Sequence, residues 1–285
     1  MNTRHEQRLV NGIKLSCTIA GEGPLVVLLH GFPEFSYSWR HQLPALAEHF
    51  TVVAPDMRGY NESEKPAQVS DYRIPLLVED IVQLIRSFGR ERAFVVGHDW
   101  GGMVAWSMAL RRPDVVEKLA VLNIPHPRIL FQHLLTNPTQ RKRSSYMLFF
   151  QLPRLPEESL RQDNFARLER VFRSMAVYRD KFTDEVLDHY KQALAKPGAL
   201  TGALNYYRAL GRRAGYDLIA SDPVARMPVL TIWGEKDSAL GKEMLEGLER
   251  YVPDLTVRRI PDASHWVQQD RPDLVNRYLT DFLRK

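Results

Sequence analysis

Cysteine is almost missing: the chain has one, Cys17, in 285 residues. That excludes an intramolecular disulfide and any cysteine-built metal cluster. A reducing compartment is the default expectation. No apolar run reaches membrane-span length, and residues 1–11 are polar and charged, without the apolar centre of a signal peptide. The expected location is therefore cytoplasmic, with no stable membrane anchor. Charge of one sign is not in large excess, with 39 Lys/Arg against 34 Asp/Glu. No basic stretch interleaved with aromatics marks a nucleic-acid partner. Internal repeats and low-complexity stretches are also lacking. The imbalance that exists is local: residues 126–222 hold 16 Lys/Arg against 10 Asp/Glu, and the remainder 23 against 24. A solvated helical surface is the plain reading of it; attraction of anionic substrates or lipid surfaces is the sharper one.

What is present is an alternation of strand-like and helix-like runs. Gln7–Val10 and Ile13–Thr18 flank Asn11-Gly12, a hairpin signal. Leu25–Leu29, Thr51–Pro55, Arg92–Val96, Lys118–Asn123, Met227–Gly234 and Leu255–Ile260 read as strands. Ser36–His49, Asp71–Phe88 and Pro272–Leu283 have helical apolar spacing, with Gly89 placed to end the second. This order predicts a parallel sheet covered on both faces. The pattern breaks from His126 to Asp222, where no strand-like run occurs and five prolines divide an Arg-rich, helical stretch. Residues 1–125 and 223–285 are therefore expected to form the sheet domain, and 126–222 a helical insertion. An insertion at the C-terminal ends of strands is a candidate lid, because α/β ligands bind there.

Chemistry gathers at strand ends. Gly97-His98-Asp99-Trp100-Gly101-Gly102 lies between a strand and a run of helix formers, the setting of a nucleophile elbow. The elbow residue is Asp99, which points to an enzyme that alkylates its own carboxylate and then hydrolyses the ester. Helix capping by Asp99 is the competing reading at this point. Asp237 follows one later strand and His265 another, giving the chain order nucleophile, acid, histidine. His30-Gly31-Phe32-Pro33 ends a strand and can offer the Phe32 N–H, with that of Trp100, to an oxyanion.

These segments, with Tyr37-Ser38-Trp39-Arg40, Asp56-Met57-Arg58-Gly59-Tyr60 and His265-Trp266, resemble the soluble epoxide hydrolase family over nearly the whole chain. The resemblance implies an α/β-hydrolase fold: a mostly parallel eight-stranded sheet with a helical lid inserted after the sixth strand. It implies epoxide hydrolysis to vicinal diols, with Asp99 as nucleophile, His265 as general base and Asp237 orienting it. Tyr146, in Tyr146-Met147-Leu148-Phe149-Phe150-Gln151, and Tyr207, in Asn205-Tyr206-Tyr207-Arg208, match the family's two lid tyrosines that protonate the epoxide oxygen. Tyr206 is read as lid packing. Phe32, Pro33, Trp100 and Trp266 are the expected substrate contacts. Phe149, Phe150, Leu152, Phe165 and Phe172 are candidates for a partly aromatic pocket wall. The expected partner is a small hydrophobic epoxide, with no cofactor and no metal, in a monomer or homodimer.

Haloalkane and haloacetate dehalogenases share the core motifs and are the main alternative. Three departures disfavour them: none of the five tryptophans lies in 126–222, Phe32 replaces an amide donor, and Trp100 rather than Arg follows the nucleophile. A non-catalytic ligand-binding α/β-hydrolase and an ordinary ester hydrolase are further alternatives. The intact constellation argues against the first, and Asp99 in place of serine against the second.

Overall fold

The computed structural model describes residues 3–211 and 223–285. Eight strands form one sheet: β1 (Arg4–Val10), β2 (Ile13–Ala20), β3 (Leu25–Leu29), β4 (Thr51–Pro55), β5 (Ala93–His98), β6 (Val116–Leu122), β7 (Val229–Gly234) and β8 (Leu255–Ile260). Their spatial order is β1-β2-β4-β3-β5-β6-β7-β8. The β1/β2 and β2/β4 pairs are antiparallel and the rest parallel. Asn11 and Gly12 turn the first hairpin with φ of 48° and 76°, the left-handed pair that a two-residue hairpin turn requires.

β3, β5 and β7 are buried along their whole length, which is why they read as unbroken apolar runs. Alternate residues serve opposite faces. Val27 and Leu29 pack with α2 (Ile74–Ser87) and α3 (Asp99–Arg111), while Val26 and Leu28 join Trp39, Leu43 and Leu46 on the other face. Each fully buried aliphatic side chain of this kind contributes about 1.5–3 kcal/mol.

Two predicted helices are shorter than expected. Ser36–His49 divides into a 3-10 turn, Ser36–Trp39, and α1 (Gln42–Leu46). Asp71–Phe88 divides into a 3-10 turn, Val69–Tyr72, and α2, because Arg73 is extended and Pro75 is tolerated only in a first turn. Gly89, at φ +69°, follows α2 as expected.

Between β6 and β7 come α4 (Pro127–Thr136), α5 (Pro138–Arg143), α6 (Tyr146–Phe149), α7 (Leu155–Met175), α8 (Asp184–Ala195) and α9 (Ala199–Ala209). Pro127, Pro138 and Pro156 sit in helical first turns, so the prolines mark starts rather than breaks. No strand occurs there among the described residues; residues 212–222 of the expected insertion lie outside them. α7 departs from a simple helix. Asp163, Asn164 and Phe165 have φ of 49°, 53° and 64°, a left-handed turn joining two helical halves. Aspartate and asparagine tolerate this region; a phenylalanine there is held by its buried side chain. The chain closes with α10 (Val267–Asp270) and α11 (Pro272–Leu283), the latter with the predicted bounds.

Candidate active site

Asp99 opens α3 at the end of β5, one strand from β3. Its φ is +49°, so the left-handed residue of the elbow is the aspartate itself and not a glycine. The glycines supply space instead: a Cβ on Gly97 would come within 2.6 Å of the Gly102 Cα, and one on Gly101 would overlap the Leu29 carbonyl. The helix cap is His98, not Asp99. The Asp99 carboxylate accepts the Phe32 N–H from the adjacent strand end (2.8 Å to Oδ1), in the loop holding the cis Phe32–Pro33 bond. Trp100 occupies the second position of α3, where a backbone N–H has no acceptor within the helix. The helix N-terminus also favours negative charge at Asp99.

His265 lies in the loop after β8, with Nε2 3.6 Å from Asp99 Oδ2 and Nδ1 2.8 Å from Asp237 Oδ2. Asp237, after β7, is held by more than the histidine. Its Oδ1 accepts the backbone N–H groups of Ala239 (2.7 Å) and Leu240 (2.9 Å), and its Oδ2 accepts Asn123 Nδ2–H (2.8 Å). Asn123 closes β6 and also clasps β7, accepting the Gly234 N–H and donating to the Gly234 carbonyl. Beneath His265, His98 Nε2–H donates to the His265 carbonyl (2.8 Å), and His98 Nδ1 lies 3.1 Å from buried Glu34. Asn123, His98 and Glu34 were not among the sequence candidates. For Asn123 and His98 the available signal was a polar residue closing an otherwise apolar strand.

Electrostatics divides the site. Burial opposes ionisation of Asp99, but the hydrogen bond and charge of His265 outweigh it and hold the carboxyl below its ordinary range. Burial likewise opposes charge on His265, yet Asp237 and then Asp99 raise it to about 10. Burial and the Asp99 charge push the Tyr146 phenol up. Burial, Tyr146 and Asp99 push Tyr207 well up. Both phenols are therefore neutral O–H groups at neutral pH. Tyr146 leaves 37% of its surface exposed, so its burial concerns the phenol and not the whole side chain.

A cavity of about 230 Å³ brings together Asp99, His265, Tyr146, Tyr207, Phe32, Pro33 and Trp266. Its remaining wall includes Phe149 and Phe150 as expected, and Leu160, Leu168, Val171 and Met175 of α7. Trp100 borders a smaller adjoining space of about 50 Å³ that shares Asp99, His265 and both tyrosines. Three expected wall residues do not line the cavity. Leu152 is 44% exposed, Phe165 is buried in the α7 turn, and Phe172 stacks on Phe182 and Tyr190. Tyr206 packs as expected, buried against Tyr60 and Trp100 with its O–H on the Arg58 carbonyl (2.8 Å).

An aspartate on a strand-to-helix elbow, facing a histidine and a second carboxylate from later strand ends, is the arrangement of an α/β-hydrolase with an acidic residue at the elbow. Residues 24–272 match the family model described as alpha/beta hydrolase fold. The chain is 42% identical over 277 residues to the AB hydrolase superfamily protein YfhM of Bacillus subtilis, covering 96% of each. It is 39% identical to epoxide hydrolase 4 of Mus musculus, covering 96% of this chain and 77% of that one. Among solved structures, an epoxide hydrolase of Bacillus megaterium, determined with an inhibitor, is similar with a TM-score of 0.92 and 37% identity, covering 98% of this chain and all of that one. The chain belongs to the epoxide hydrolase family of the α/β-hydrolase fold. No helix among the described residues is long and apolar enough to cross a membrane.

Proposed function

We propose that this chain hydrolyses small hydrophobic epoxides to vicinal diols through an ester on Asp99. One observation carries the reading. A carboxylate, a histidine and two neutral phenols, Asp99, His265, Tyr146 and Tyr207, line one cavity whose other walls are mostly apolar. Two phenols suit an alkoxide leaving group, which needs a proton, better than a halide, which does not. Residues 126–222 act as the lid that brings the tyrosines to the sheet residues, and 1–125 with 223–285 as the core.

In the first step Asp99 attacks an epoxide carbon. The C–O bond breaks, and Tyr146 or Tyr207 donates its proton to the departing oxygen, the other phenol hydrogen-bonding to it. General acid help of this kind is worth about 10²–10⁴ in rate. The product is a hydroxyalkyl ester on Asp99.

The second step follows from charge. While Asp99 is ionised, His265 carries a proton and cannot act as a base. Once Asp99 becomes a neutral ester, one of the two carboxylates that raise His265 is gone. The phenolate left by ring opening, a strong base in this buried site, takes the His265 proton and is restored as a phenol before hydrolysis begins. As a neutral imidazole oriented by Asp237, His265 deprotonates water for attack on the ester carbonyl. The N–H groups of Phe32 and Trp100 receive the developing oxyanion, and diol leaves with Asp99 restored.

Trapping the ester tests this. His265→Gln mixed with styrene oxide is expected to accumulate a substrate-mass adduct on the peptide containing Asp99, by intact-mass and peptide mass spectrometry. A folded variant that stays unmodified while the wild type makes diol contradicts the ester route.

A further inference from the structure

Tyr146 stands on α6, a single turn of four residues. A helix that short does not hold itself together in water, so its phenol must be located by contacts with other elements. Two side chains supply them. Arg208, the neighbour of Tyr207 on α9, is 7% exposed, and its guanidinium is fully engaged. Its Nε–H donates to the Phe150 carbonyl (3.1 Å) and Nη2–H to the Leu152 carbonyl (2.8 Å), both just past α6. The same guanidinium grips Glu157 of α7 through both carboxylate oxygens, at 2.7 and 2.8 Å, and reaches Asn205 Oδ1. Gln151 closes the arrangement from the other side: its Nε2 donates to the Met147 carbonyl (3.1 Å) and to the Tyr207 carbonyl (2.9 Å). The helix bearing one phenol is thereby tied to the helix bearing the other, and the rings stand 5.9 Å apart, edge to face.

Other ion pairs in the same stretch differ. Arg173 meets Glu169 and Asp184 on the surface, where such pairs contribute little. Arg208 and Glu157 are mostly buried, and the same Arg208 guanidinium donates to backbone carbonyls just past the Tyr146 helix. A bidentate guanidinium–carboxylate pair fixes direction as well as distance.

We propose that Arg208 and Gln151 are positioning residues that set the spacing of the Tyr146 and Tyr207 phenols over the epoxide oxygen. The inference rests on the ester route above. The phenols act only before ester hydrolysis begins; that step uses His265, Asp237 and the Phe32 and Trp100 N–H groups on the sheet side. Losing the clamp therefore slows ester formation and spares ester hydrolysis, a separation that general destabilisation would not produce.

The two half-reactions are measured apart, with styrene oxide as probe. Ester formation is followed by rapid-quench intact mass in a His265→Gln background, and ester hydrolysis, with His265 intact, from the decay of the adduct in rapid-quench intact mass fitted separately from its rise. Arg208→Met and Gln151→Leu are each expected to slow formation by roughly tenfold to a hundredfold, the scale of a small misplacement of reacting groups. Hydrolysis should stay within about twofold, and Arg208→Lys should recover part of the loss. Equal slowing of both steps, or wild-type formation in a folded Gln151→Leu, overturns the clamp. If Arg208→Met does not fold, Gln151→Leu decides alone. If His265→Gln with the clamp intact forms no ester, the failure belongs to the ester route itself.

Discussion

Asp99, Asp237 and His265 stand at or just beyond the ends of three strands of one sheet, whereas Tyr146 and Tyr207 stand on two short helices of the segment between β6 and β7. The sheet side is located by backbone. Strand register sets the spacing, the Phe32 N–H holds Asp99, and Asp237 takes two backbone N–H groups and the Asn123 amide. The helical side is located by side chains: Arg208, Gln151 and the Tyr206 O–H on Arg58. The difference separates two roles. Covalent chemistry on a carboxylate tolerates little displacement, and a sheet moves little. Side-chain ties on helices leave the apolar wall around the two phenols free to differ without disturbing Asp99.

Three measurements break or sharpen that contrast. The largest effect is expected at Asp99→Asn. Asparagine tolerates the positive φ, so the fold should survive, while diol formation should fall by at least about 10⁴-fold, the scale of losing a nucleophile. Near-wild-type steady-state turnover in freshly purified variant would show that the carboxylate is not attacked through.

Next is Tyr146→Phe combined with Tyr207→Phe. Ester formation should fall by about 10²–10⁴, and hydrolysis of ester already formed should change little. If rapid-quench kinetics show both steps equally slowed, the two sides of the site are not chemically separate.

The smallest effect is on stability. The His265 pKa is raised from 6.5 to about 10 by its two carboxylates, against burial. Its proton therefore stabilises the fold in full below about 6.5, and that contribution is lost as pH rises through about 10. Asp99 is lowered below its ordinary 3.8, so its contribution is present above that value and lost as pH falls through the depressed one. Melting temperature should decline between pH 6.5 and 10, and Asp99→Asn should narrow that decline. Identical pH slopes for both proteins would show that Asp99 does not raise His265.

The same contrast governs what was legible in the sequence. Strands buried on both faces must be continuously apolar, so β3, β5 and β7 stood out, and the residues just past them had to meet at one edge. Asp99, Asp237 and Phe32 were readable for that reason. Asn123 was not, because its role is to bridge two strand ends, which local pattern does not encode. Tyr146 and Tyr207 were reached through motif resemblance, since helical spacing alone leaves a tyrosine equally suited to packing, the part that Tyr206 plays. The α7 wall residues Leu160, Leu168, Val171 and Met175 escaped because an apolar stripe at helical spacing reads equally well as core packing and as cavity wall. The left-handed turn at Asp163–Phe165 buries Phe165 away from the cavity.

The central claim is that oxygen in the diol passes through Asp99. A single turnover of excess enzyme with styrene oxide in ¹⁸O-water tests it directly. Attack of water on the ester carbonyl places the label in the Asp99 carboxylate, so the first diol released should carry the unlabelled oxygen of Asp99. Label appearing in the diol of the first turnover, with Asp99 left unlabelled, would mean that water opens the epoxide itself and would contradict the account.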